Sequence, residues 1–142
     1  MKTQLILLLA SLVTISSGYS DSSKSDTDAL QGKWQGTEKD APAESPRHLD
    51  FSGKNLDYHG ADTNDWVKGT FTLHENVKPK QMVAVITDCA DSDAIGKSVY
   101  CIYKLENGTF TVTGSPPGET NFPSSFDAEG ARQMVFKRKP AE

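Results

Sequence analysis

The chain has 142 residues, 24% of them charged, and a formal net charge of −4, which suits one domain with a hydrophobic core and is not typical of a disordered chain. Its longest basic cluster, Lys137-Arg138-Lys139, has three residues. Binding to nucleic acid is therefore not expected, because a phosphate backbone requires an extended basic surface.

The N-terminus has the pattern of a secretory signal peptide. Lys2 supplies the positive start, an apolar run covers residues 5–15, and small residues lead to Ser20. The apolar run is too short to span a bilayer. We therefore expect a signal peptide of residues 1–20 to be removed by cleavage after Gly18 or after Ser20. The mature protein is then expected to be exported, periplasmic or extracellular, with no membrane span.

A polar leader and a tryptophan between two glycines follow the signal. Residues 21–28 have no apolar side chains to bury and predict a disordered leader, so the domain is expected to cover residues 29–140.

Trp34 stands two residues from Gly32 and from Gly36, on the same face of a strand. The glycines leave room for the indole to lie over the floor of a closed sheet, which predicts the first strand of a small β-barrel.

Short segments of strand-like pattern are separated by turn signals. The predicted strands are Leu30–Thr37, Arg47–Phe51, Lys54–Gly60, Val67–Leu73, Gln81–Thr87, Ser98–Leu105, Thr109–Thr113 and Arg132–Lys139. Asn107-Gly108 is the strongest hairpin signal, and a two-residue turn there pairs Leu105 with Phe110 and Tyr103 with Val112. This pattern, with no convincing helix, predicts an all-β domain that is either an antiparallel up-and-down barrel or a sandwich.

Cys89 and Cys101 are the two cysteines of the chain. An even count in an oxidising compartment favours a disulfide, and the pair flanks a proposed hairpin loop. The alternative is two buried free thiols.

No catalytic residue is predicted. A tight turn at Ser52-Gly53 is expected to bring His48 close to Asp57. Such a pair accepts a proton in some enzymes, but no nucleophile stands beside it, so a solvated cross-strand charge pair is favoured and the protein is not expected to be an enzyme.

No metal site and no cofactor are predicted either. The three histidines lack the spacing of zinc ligands. The aspartates of residues 88–93 lack the glycine and the distal glutamate of a calcium-binding EF-hand loop. Ordinary turn chemistry explains these aspartates better.

The long irregular segment Ser115–Gly130 carries Phe122 and Phe126 around a proline. These rings are expected to form a lid over the barrel mouth, to contact a partner, or to plug the barrel rim. The plug is favoured, because an eight-stranded barrel is only just wide enough to be filled by its own side chains.

Gly32-Lys33-Trp34 on a first strand is similar to the lipocalin pattern, in which the aromatic residue closes the barrel floor and a late arginine packs against it. The resemblance implies Trp34 and Arg138 as this floor pair. A wider set of segments resembles the small lipocalin-like family of exported proteins known as the planctomycete uncharacterised domain. These segments are Leu30-Gln31-Gly32-Lys33-Trp34, Gly69-Thr70-Phe71-Thr72-Leu73, Lys78-Pro79-Lys80-Gln81-Met82, Gly96-Lys97, Ile102-Tyr103-Lys104-Leu105, Pro117-Gly118, Phe126 and Val135-Phe136-Lys137-Arg138. The resemblance implies export and a single antiparallel lipocalin-like barrel of about eight strands, and it transfers no activity.

Two functions fit these observations. The first is non-catalytic binding of a small, partly apolar ligand inside the barrel of a monomer. The second is a solid-cored structural or interaction module of the cell envelope, whose loops, chiefly residues 114–131, contact an envelope protein. An internal cavity of a few hundred Å³ distinguishes them. The residues expected to line a ligand site are Trp34, Phe71, Leu73, Tyr103, Leu105, Phe110 and Val112.

Overall fold

The computed structural model describes residues 25–40 and 46–140. The predicted signal peptide, residues 1–20, lies outside the described residues. Eight strands follow a short helix, α1 (Asp26–Leu30). The strands are β1 (Gly32–Glu38), β2 (Arg47–Ser52), β3 (Asn55–His59), β4 (Trp66–His74), β5 (Lys80–Cys89), β6 (Ser98–Glu106), β7 (Thr109–Gly114) and β8 (Arg132–Arg138).

The strands form one closed barrel in which each strand pairs antiparallel with the next along the chain. β1 and β8 complete the closure, with Trp34 directly opposite Arg138. The predicted hairpin register is confirmed, because Leu105 pairs with Phe110 and the rest of the β6–β7 ladder follows in step. The all-β barrel predicted from the sequence is therefore correct, and the sandwich alternative is wrong.

A cluster of aromatic rings fills one end of the barrel. The ring of Phe110 is fully buried and its centroid lies 5.8–6.3 Å from those of Trp34, Phe51, Tyr103 and Phe136. Aromatic pairs in this range contribute beyond the apolar area they bury. We call this end of the barrel the floor and the opposite end the mouth.

Helix α1 closes the floor from outside the sheet. The indole Nε1 of Trp34 donates to the carbonyl of Leu30 at 2.7 Å. The Asp26 carboxylate accepts from Lys80 Nζ and from the Tyr103 hydroxyl, each at 2.8 Å. In the described part of the chain, no helix is long and apolar enough to cross a membrane.

The predicted disorder of residues 21–28 is therefore wrong for residues 26–28, which belong to α1. Leu30 was also expected to start the first strand, and it ends the helix instead. Composition could not show this, because the partners that hold Asp26 are 54 and 77 residues away in sequence. Residues 21–24 lie outside the described residues.

The predicted disulfide is wrong, because both cysteines are free. Cys101 pairs with Met82 in the β5–β6 ladder, seven residues before Cys89 on β5. Seven residues of strand span about 23 Å, whereas a disulfide requires Cα atoms within about 7 Å. β5 continues past the start of β6, so the two cysteines do not face each other across the hairpin.

We expect Trp34→Ala to lower the free energy of unfolding by about 3–5 kcal/mol, because it removes a fully buried ring and leaves a cavity at the floor. Urea denaturation at equilibrium measures the loss. The matched control is Trp66→Ala on β4, where the indole is only partly buried and the loss should be about 1 kcal/mol. Equal losses in the two variants would contradict the role given to the floor.

Candidate ligand-binding cavity

A cavity of about 420 Å³ lies inside the barrel between the aromatic floor and the mouth. Phe51 and Phe136, two of the rings packed on Phe110, form part of its lining. Most of the other lining groups are aliphatic or sulfur-containing side chains that point inward from several strands. They include Leu49, Met82, Val99, Cys101 and Met134.

One of the seven residues predicted to line a ligand site, Val112, lines this cavity. The other six do not, and all six belong to the packed core or lie against it. They are Trp34, Phe71, Leu73, Tyr103, Leu105 and Phe110. The alternation of apolar and polar residues along a strand identifies which side chains point inward, but not how far along the barrel axis each of them lies. Inward residues such as Val99 and Met134 were missed for the same reason.

A network of paired charges lies at the mouth of the cavity, which two of its members, Tyr58 and Arg132, line. Arg132 at the start of β8 donates from Nε to Glu38 and from Nη2 to Asp65 Oδ2 at 2.9 Å. Its Nη2 also lies 3.1 Å from the hydroxyl of Tyr58. Arg47 donates to Glu38 Oε2 at 2.8 Å, and both of these side chains are largely buried. The two cations and two carboxylates carry no net charge together.

The two arginines of the network favour the ionised form of Glu38, which pairs with both of them. Burial acts to raise the pKa of Glu38, but hydrogen bonds from Arg132 and Arg47 outweigh it and lower the pKa below its usual value. Burial acts to lower the pKa of Arg132, and hydrogen bonds to Glu38 and Asp65 raise it instead. Burial raises the pKa of Tyr58 to about 12, so its hydroxyl stays protonated.

Gly60 allows Asp65 to reach this network. The Gly60 amide donates to the Asp65 carbonyl at 2.6 Å, which closes the β3–β4 loop. A Cβ atom built on Gly60 would overlap the Asp65 carboxylate and crowd the Tyr58 hydroxyl. Any larger residue at position 60 would therefore displace Asp65 from Arg132.

The loop between β7 and β8 packs on the outside of the barrel. Phe122 makes an edge-to-face contact with Tyr100, at 5.0 Å between ring centroids, and Phe126 lies under Lys104 Nζ. Both partners point outward from β6, and the neighbouring outward residue Ile102 is 1% exposed. The predicted plug is therefore wrong, as is the lid, because neither phenylalanine lines the cavity.

The two ends of the same loop do reach the cavity, where Ser115, Pro116, Pro117 and Gly130 form part of its rim. The sequence did contain a signal for the outer packing. Ile102 lies on the otherwise polar side of its strand, and an apolar side chain there predicts that another segment packs over it.

His48 and Asp57 border the same surface pocket, but the described residues show no hydrogen bond or ion pair between them. His48 stands opposite His59 in the β2–β3 ladder, and the Asp57 carboxylate lies 3.0 Å from Nε2 of His59. Both members of that pair are largely exposed, and exposed pairs contribute little. Within residues 25–40 and 46–140, no group of three or more His, Cys, Asp or Glu residues is arranged to hold a metal ion.

We expect the Tyr58 hydroxyl to titrate near pH 12, whereas a tyrosine in the unfolded chain titrates near pH 10. Its contribution to stability is complete below pH 10 and is lost as the pH rises from 10 to about 12, because the unfolded state loses its proton first. The difference in tyrosinate absorbance between the unmodified protein and Tyr58→Phe isolates this residue. A Tyr58 midpoint close to pH 10 would contradict the expectation.

No protein-family model, no curated protein and no solved structure matches the chain. The likeness to lipocalin-like exported proteins therefore stays a prediction that depends on segments such as Leu30-Gln31-Gly32-Lys33-Trp34.

Proposed function

We propose that this protein is an exported, non-catalytic, lipocalin-like protein that binds a small, mainly apolar ligand inside its barrel. The observation that carries the proposal is the cavity of about 420 Å³, apolar along its walls and bordered by a few polar groups at one end. Ligand sites in proteins have this composition and a volume of roughly 300–1,000 Å³. A solid-cored module would leave no such space.

The volume limits the size of the ligand. Allowing about 30 Å³ for each group the size of a water molecule, the cavity holds up to about 14 non-hydrogen atoms. Burying eight to ten methylene groups at about 0.8 kcal/mol each supplies about 6–8 kcal/mol, so the Kd is expected to be no tighter than about 1 μM once the cost of association is included. A medium-chain lipid or a small terpenoid has this size.

The mouth network supports binding rather than catalysis. A general acid or base works best with a pKa close to the working pH. Here the pKa of Glu38 is lowered and that of Tyr58 is raised to about 12, so both shift away from neutrality. Burial likewise raises the pKa of the Cys101 thiol in the cavity wall to about 12, which suppresses its thiolate form.

Native mass spectrometry of the protein exported by its own signal and purified gently tests the proposal. Ligand binding predicts an additional mass that disappears on denaturation, or one that appears after incubation with decanol. The intact mass also shows whether residues 1–20 have been removed, as export through a signal peptide requires. A bare polypeptide mass in both conditions would contradict the binding function.

We expect Ala84→Leu to weaken binding of decanol at least about tenfold, because the larger side chain occupies part of the cavity that Ala84 lines. Calorimetric titration measures the change, and thermal unfolding checks that the variant remains folded. The control is Val135→Leu, an exposed position on β8 outside the cavity lining, where affinity should not change. Unchanged affinity in folded Ala84→Leu would place the ligand elsewhere.

A further inference from the structure

We infer that the cavity selects uncharged amphiphiles, such as alcohols, ketones and esters, and rejects carboxylates of the same chain length. The oxygen of the ligand would accept a hydrogen bond from Arg132 at the mouth, and its apolar part would fill the space above Phe136. This inference rests on the proposed binding function and specifies the chemistry of its ligand.

The polar side chains that border the cavity are largely committed to partners in the protein. The hydroxyl of Ser115 donates to the carbonyl of Asn121 at 2.8 Å. The Tyr58 hydroxyl lies between Asp65 Oδ2, at 3.2 Å, and Arg132 Nη2, at 3.1 Å. Both hydroxyl groups would have to give up a hydrogen bond within the protein to donate to the polar end of a ligand.

Arg132 retains hydrogen-bonding capacity. Its Nε and Nη2 atoms make all of its hydrogen bonds to other described residues, which leaves the two N–H groups of Nη1 for a ligand. The side chain is 44% exposed and lines the cavity. Because this group only donates, the ligand must offer an acceptor oxygen.

The charge of Arg132 is already compensated. Both Glu38 and Asp65 form ion pairs with it, and the second charge of the mouth network, Arg47, is paired with Glu38 as well. A ligand carboxylate would bring a third negative charge to a guanidinium already held by two carboxylates. It would lose its own hydration without gaining a free counter-charge, whereas a neutral oxygen loses much less.

The strand register places the donor at the correct end of the cavity. Arg132, Met134 and Phe136 follow one another on the inward face of β8, and Phe136 packs on Phe110 at the floor. A ligand whose oxygen contacts Arg132 therefore has its chain directed along Met134 towards Phe136. Successive inward residues of a strand are about 6.6 Å apart, so the distance from Arg132 to Phe136 along the strand matches a chain of about ten carbons.

The test compares three probes with the same ten-carbon chain, namely decanol, decanoate and decyltrimethylammonium, by calorimetric titration at neutral pH and below their aggregation concentrations. We expect decanol to bind at least about tenfold more tightly than either charged probe, because a charged group would give up part of its hydration at the mouth and meet a network whose charges are already paired. Decanoate binding as tightly as decanol, or more tightly, would overturn the selectivity and leave the binding function standing. If none of the three binds, the proposed function itself is wrong.

A pair of matched variants tests the cause of the selectivity. Asp65→Asn removes one of the two carboxylates from Arg132 and should shift the ratio of decanoate to decanol affinity towards decanoate by about tenfold. Asp50→Asn makes the same change in an exposed ion pair with Lys33 that lies outside the cavity lining, and should leave the ratio unchanged. An unchanged ratio in folded Asp65→Asn would overturn the inference. The comparison of the three probes on the unmodified protein stands even if Asp65→Asn does not fold.

Discussion

The barrel depends on the contacts of one side chain, the indole of Trp34. Its N–H group binds the last carbonyl of α1, one face lies 4.6 Å from the guanidinium carbon of Arg138, and its ring packs on Phe110. The same guanidinium donates to the carbonyls of Ala29 and Gln31, at the end of the helix. One residue therefore joins the helix, the closing strand and the core, at the point where an open sheet would have two free edges.

The dense floor determines where the barrel can be hollow. Rings packed around Phe110 occupy the end near Trp34, so the free volume lies towards the mouth, where smaller side chains such as Ala84 and Val99 point inward. Beyond them the inward positions carry Arg47 and Arg132. The interior is thus aromatic at one end, aliphatic in the middle and ionic at the other.

The sequence predicted the local order of this fold well and its long-range contacts less well. The alternation of apolar and polar residues was sufficient to predict the strands, and the Asn107-Gly108 turn was sufficient to predict the pairing of Leu105 with Phe110. Both features depend on residues that are neighbours in sequence. The position of the cavity, the free Cys101 and the mouth network depend on how far each strand extends past its neighbour. Contacts between strands that are distant in sequence carry no local signal, so Glu38 and Arg132, 94 residues apart, could not be matched in advance.

Both ends of the described chain meet the barrel at the floor, since β1 begins and β8 ends beside Trp34 and Arg138. A tag, a fusion partner or a surface attachment joined directly before Ser25 or after Pro140 would therefore be connected at the closed end. The protein can be immobilised or linked to a reporter in this way with its opening directed away from the support. Under the proposed binding function, the same connection points suit a sensor for small apolar molecules, because the linker does not compete with the analyte for access.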